Sequence, residues 1–232
     1  MNTLMDLLSA STFAAIRLTF KLAFSATACL LLIGIPLAWW LARTQSRLRE
    51  VVAALVALPL VLPPTVLGFY LLVALGPNGA IGWLAPLFGM RTFAFSFTGL
   101  LIGSIVYSLP FVVQPVCNAF AAIGTRPLEV AATLRQSPGQ SFFKVALPLA
   151  RPGILTGAVL AFAHTVGEYG IVVMIGGNTP QTRVISTTIV QLNENQHYTE
   201  AAVLSAIMLV FAFVVILIIS LLERHKRRES ML

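Results

Sequence analysis

The 232-residue sequence is short of charge: Asp, Glu, Lys and Arg together make up 10% of it, against roughly a quarter in an ordinary soluble domain. A solvated globule is excluded. Aspartate occurs once, at Asp6, so a catalytic aspartate pair is excluded as well. The two cysteines, Cys29 and Cys117, both lie in apolar runs, where thiols act as small packing residues, and no disulfide framework is implied. No repeat, low-complexity tract or soluble domain is visible.

What is abundant is apolar sequence, at 58% of residues with a mean hydropathy of +0.90. It is collected into uncharged runs: 21 residues from Leu22 to Ala42, 40 from Val51 to Met90, 34 from Thr92 to Thr125 and 22 from Ala201 to Leu222. A further 16 run from Pro152 to Gly167, and 14 more follow Glu168. Roughly 20 helical residues cross the hydrocarbon once. The second half of the 40-residue run is broken by Gly76, Pro77, Gly79, Gly82, Pro86 and Gly89, and reads as an external loop with a short interfacial piece. The expected architecture is all-α and integral to the membrane: a single transmembrane domain of about five spans, at 18–42, 51–75, 96–122, 152–176 and 201–222. Residues 1–16 hold Asp6 and no Lys or Arg, and the first run is too long for a cleaved signal, so it is expected to stay as span one.

Orientation follows from the basic residues. Eleven of the fifteen fall in the first loop, the 123–151 loop and the tail, which share one side; Arg17, Lys21, Arg91 and Arg183 fall on the other. The positive-inside rule then places the N-terminus outside and the C-terminus in the cytoplasm. The net charge of +7 is accounted for by this topology, so no nucleic-acid partner is implied. The tail from Glu223 to Glu229 reads as an anchor to anionic membrane lipid.

An intramembrane enzyme is not indicated. The three histidines, His164, His197 and His225, are assigned to a span, the outside and the tail, and cannot share a metal. H-T-V-G-E, from His164 to Glu168, lacks the spacing of a zinc protease helix. A Ser104 or Ser108 pairing with His164 is more simply a polar contact between membrane helices. A passive scaffold is the other alternative, and the 123–151 loop argues against it. Pro127 suits a first helical turn, Glu129 complements the helix dipole, Val130 to Leu134 form a short helix, and Ser137, Pro138 and Gly139 stop it. A second segment, Gln140 to Leu147, ends at Pro148. Helices this short are marginal alone. They either dock on a partner or pack on their own spans.

The stretch E-V-A-A-T-L-R-Q-S-P-G-Q-S-F-F-K-V-A-L-P-L-A-R-P-G-I, from Glu129 to Ile154, resembles the EAA loop of bacterial ABC importer permeases. Glu129, Ala131, Phe143, Leu147, Pro148, Pro152 and Gly153 match; Val130 replaces an alanine, and Arg135 stands where that family's glycine breaks the helix, so the helix is expected to run on to a turn at Pro138 and Gly139. L-P-L-V-L-P-P-T-V-L-G-F-Y-L-L (Leu58 to Leu72), L-T-F-K-L-A-F around Lys21, and Phe162 to Ser186 with its G-E-Y-G resemble molybdate permeases. Sulfate and thiosulfate permeases share the loop and a similar G-E-Y-G, and are the alternative.

The resemblance implies a homodimer of this subunit in the bacterial inner membrane. Its partners would be two cytoplasmic ATPase subunits, which bind ATP and Mg, and a periplasmic oxyanion-binding protein. The chain itself would hold no cofactor or metal and would not be an enzyme. It would carry molybdate or tungstate by alternating access, docking the ATPase through Glu129, Val130, Ala131, Arg135, Phe143, Leu147 and Pro148. The Pro59, Pro63, Pro64 cluster breaks span two at mid-depth, which is tolerated only beside protein or a water-filled cavity. Pro63, Pro64 and Thr65 are therefore candidates for the path or gate, and so, from their depth in span four and their shared helix face, are His164 and Glu168. Glu168 is read either as a gate or as a carboxylate satisfying donors at a helix contact. Arg183 is the candidate on the outer substrate side, with snorkelling as its alternative.

Overall fold

The computed structural model describes residues 10–177 and 179–229, with side chains as far as Leu221. Every regular element among them is helical. The lipid-anchor reading of the tail side chains lies outside the described residues.

Helix α1, Ala10–Arg43, is about 51 Å long at 1.5 Å per residue, and begins ahead of the first predicted span. Span two is two helices, α2 (Leu48–Val61) and α3 (Pro64–Leu75), bent by 113°. The cause is local. Proline disfavours a helical residue before it and cannot donate to the turn behind it. Leu62 and Pro63 accordingly take extended backbone (ψ 137° and 135°), and Pro64 restarts the chain at a first helical position. The pair still joins the two ends of the bundle. Near its start the Arg49 guanidinium donates to the Leu41 carbonyl at the foot of α1 (2.9 Å), and at its end the Leu75 carbonyl accepts from Thr92 just before α4 (3.2 Å).

Helix α4 (Phe97–Ile123) runs beside α1 in the same direction. Leu22 meets Leu100 at one end, Gly34 lies under Val112, and Arg43 reaches Gly124 at the other. Helix α7 (Arg151–Gly167) returns antiparallel against α4. Its glycines allow backbone contact: a Cβ on Gly153 would stand 2.4 Å from the Ala119 Cβ. Small residues at such crossings give dispersion contact that lipid cannot replace.

The predicted span 152–176 is also interrupted. Helix α7 stops at Gly167, Glu168 is extended (ψ 130°), and a short helix α8 (Gly170–Gly176) follows. Beyond it lies a helix that the hydropathy runs do not show, α9 (Ile185–Glu194), anchored where the Ile185 amide donates to the Thr19 hydroxyl (2.9 Å). Helix α10 (Tyr198–Glu229) packs on α7 and leaves Leu209, Val210, Phe213 and Ile216 exposed. A surface this apolar belongs against lipid or another chain.

Between α4 and α7 stand α5 (Arg126–Thr133) and α6 (Pro138–Leu149), a helical hairpin. Three expectations are corrected here. Helix α5 does not run on through Arg135; Arg135 takes the left-handed conformation (φ +59°), and the helix ends at Thr133. Pro138 and Gly139 do not make the stop. They open α6, behind an Ser137 cap whose hydroxyl accepts from the Gln140 amide (3.3 Å) while the Gln140 side chain accepts from the Ser137 amide (3.1 Å). Nor does Pro148 end the second segment, because the chain stays helical to Leu149 and turns by 68° into α7 at Ala150.

Candidate functional site

The hairpin is amphipathic, with one face packed on the bundle and the other exposed. Ala131 is buried against the bundle, with Leu128, Phe142 and Leu147 packed on the core. Val130, Leu134 and Phe143 are 60%, 69% and 67% exposed. Glu129 is also exposed, in the first turn of α5. The fixed face is bolted to the spans. The Trp39 ring of α1 packs edge-on to Phe120 of α4 (5.0 Å) and to Phe142 of α6 (5.2 Å). A one-turn π-helix, Phe142–Ala146, lies just where Phe142 makes this contact. Beside it the Arg43 guanidinium lies over Trp39 (5.0 Å) and donates to the Gly124 carbonyl (2.7 Å). Gly124 has φ +67° and is the pivot from which α5 leaves α4.

The second constellation is formed by the two helix breaks, which meet. A Cβ on Gly170, at the start of α8, would lie 2.6 Å from the Cβ of Pro64, at the start of α3. Gly68 is similarly close under Met174. Glu168 is 8% exposed, and its Oε1 accepts from the Ile171 amide (2.8 Å), capping α8, while its own carbonyl accepts from the Ser186 hydroxyl (2.6 Å). Its negative charge thus faces the positive end of a helix. Of the two readings of Glu168, the packing one describes its contacts. Pro63 and Thr65 are exposed at the start of α3, Thr65 in its first turn.

His164 is not brought to this junction by any contact of its ring. That ring stacks on Phe111 (4.1 Å) and lies against Tyr107 (4.8 Å), its Nδ1 is 2.9 Å from the Ser108 hydroxyl, and it borders an apolar groove of about 310 Å³ against Met208, Phe211 and Val215 of α10. The Ser108 and His164 pair is real. Ser108 is 1% exposed, however, and shares its hydroxyl with Thr165 (3.2 Å), as expected of a polar helix contact. Arg183 is half-buried at the end of the bundle away from the hairpin, its Nε enclosed without a hydrogen-bond partner.

Residues 34–228 match the family described as the inner membrane component of binding-protein-dependent transport systems. The chain belongs to that family. As an inner-membrane transport component it is a permease subunit, not itself catalytic. It is 56% identical to the molybdenum transport system permease protein ModB of Azotobacter vinelandii over 220 residues, covering 94% of this chain and 97% of that one. It is 34% identical to a probable sulfate transport system permease protein, cysT, of Anthoceros angustus, covering 94% of this chain and 75% of that one. Its fold is that of the bacterial alginate ABC transporter crystallised with an alginate pentasaccharide-bound periplasmic protein (TM-score 0.75, 20% identity, 94% of this chain and 80% of that one).

Two features of this permease escape sequence reasoning. Trp39 and Arg43 give no motif, and their link to Phe142 and Gly124 spans 81 or more positions. Arg17 was legible only as a topology charge, and Lys21 as that and as part of a family-like stretch, although their spacing of four places them on one helix face.

Proposed function

We propose that this chain is the membrane-spanning subunit of a molybdate importer. The observation that carries the reading is the 56% identity to a molybdenum permease along 94% of the chain, against 34% for the sulfate relative. Tungstate, alike in charge and shape, is carried by the same path.

Two copies face each other across a two-fold axis, because five spans cannot enclose a path alone. The hairpin end lies in the cytoplasm, with the C-terminus, and the start of α1 lies outside. The hairpin tip, Glu129, Val130, Arg135 and Phe143, sits in the ATPase subunit, with Ala131, Leu147 and Pro148 forming its base. ATP and Mg are held there, not in this chain. Closure of two ATPase subunits pushes the hairpins, and the Trp39, Phe142, Arg43 and Gly124 contacts pass the push to α1 and α4 as one body, a rigid-body alternation. The gate is the junction of the two breaks. An isolated charge at mid-membrane costs at least a few kcal/mol, and the exposed Thr65 at the positive end of α3 offsets this for a passing oxyanion. Glu168, turned inward to cap α8, keeps its negative charge off the path. His164 lies one turn away, tying α4 to α7. Arg183 faces the outer approach, where a periplasmic binding protein delivers the substrate.

Deleting the gene should abolish molybdoenzyme activity at trace molybdate, with recovery at excess molybdate. A sulfur-source requirement in the deletion strain would show sulfate to be the substrate instead. For orientation, a reporter fused behind the last residue should read cytoplasmic and one inserted at Asn195 external; the reverse pair of readings would overturn the topology.

A further inference from the structure

At the end of the bundle away from the hairpin, α1 and the chain after α8 enclose a cleft of about 460 Å³. Arg17 and Lys21 project into it from one face of α1, and Phe97, Pro180 and Gln181 form its other wall. Among the described residues, no carboxylate lines it, and neither cation has an ion-pair partner. The Lys21 ammonium is instead held 4.5 Å over the Phe97 ring, a contact that leaves its other side open to the cleft. Two like charges about 6 Å apart along a helix repel one another, and no carboxylate among the described residues relieves them. Gln181 adds an amide that can donate.

The depth is informative. Lys21 is 22 positions from Arg43, about 33 Å of helix, which is one hydrocarbon thickness. Lys21 therefore stands at the headgroup boundary and Arg17 one turn beyond it. Phe13 and Phe24 are 67% and 65% exposed on the same helix, so the cleft meets lipid on its flanks and water above.

We propose that this cleft is a binding site for a tetrahedral oxyanion group, held between Arg17 and Lys21 with Gln181 donating a hydrogen bond. Two sources carry that chemistry: the phosphodiester of an anionic phospholipid in the adjacent leaflet, and a free oxyanion reaching the permease from outside. The site does not depend on the gate or on molybdate being the cargo, and uptake assays test those separately.

The test uses the permease purified with its ATPase subunits in phosphatidylcholine nanodiscs. One arm titrates tungstate; the other adds phosphatidylglycerol and counts retained lipid by native mass spectrometry. Arg17→Gln with Lys21→Gln should weaken at least one arm tenfold or more, and Arg17→Lys with Lys21→Arg should stay within threefold of wild type. Loss in the lipid arm identifies a phospholipid site, loss in the tungstate arm a free-anion site, and loss in both a shared one. Glutamine is well tolerated on an exposed helix face, and co-elution with the ATPase checks assembly. Changes below threefold in both arms would overturn the proposal. So would an equal loss in Arg91→Gln, which removes a distal cation outside the cleft.

Discussion

Substituting valine at Gly170 is expected to leave the protein in the membrane and lower ATP-driven uptake at least tenfold. Even a single Cβ there would stand 2.6 Å from the Pro64 Cβ, well inside van der Waals contact, and the neighbour is a stiff ring that cannot rotate away. Overpacking of this kind costs about 1–3 kcal/mol, too little to unfold a bundle held by α1, α4 and α7. It is enough to force apart the starts of α3 and α8, where both spans have lost helical continuity and where the proposed gate would move. Uptake in proteoliposomes, with thermal stability of the purified complex as control, separates the outcomes. Near-normal uptake would show that the junction of the two breaks does not move with transport. Destabilisation matching the uptake loss would assign Gly170 to packing alone.

Reversing the charge at Glu129 should have an effect of similar size by a different route. The side chain is exposed in the first turn of α5, and its removal costs the helix about 0.3–1 kcal/mol through the dipole. Insertion and abundance of Glu129→Lys should therefore match wild type. If the carboxylate meets a basic group on the ATPase, lysine puts like charges together at a docking surface. Uptake should then fall at least tenfold, with the ATPase either lost on purification or hydrolysing ATP without transport. Wild-type uptake together with wild-type co-purification would move the docking contact to Val130, Leu134 and Phe143, the exposed apolar tip.

The sequence by itself determined a helical membrane protein with a structured hairpin, because hydrocarbon thickness demands long uncharged runs and these are visible without any partner. It also located the break in span two, because Pro63 and Pro64 remove amide donors wherever they stand; the break at Glu168 was not legible, since one charge dividing an apolar run does not by itself end a helix. The hairpin was legible as two short helices, from Pro127, Ser137 and the apolar residues between. Its turn was misplaced because the left-handed backbone at Arg135, a residue type with no preference for that conformation, carries no composition signal. Only the tertiary structure decided that the two breaks touch, that Glu168 spends its charge on the α8 amides while His164 turns to Ser108 and Phe111, and that Arg43 holds the Gly124 pivot. Each of these joins side chains whose partners are set by how the helices cross. Hydropathy records whether a residue sits in lipid or water and is silent on which neighbour it faces.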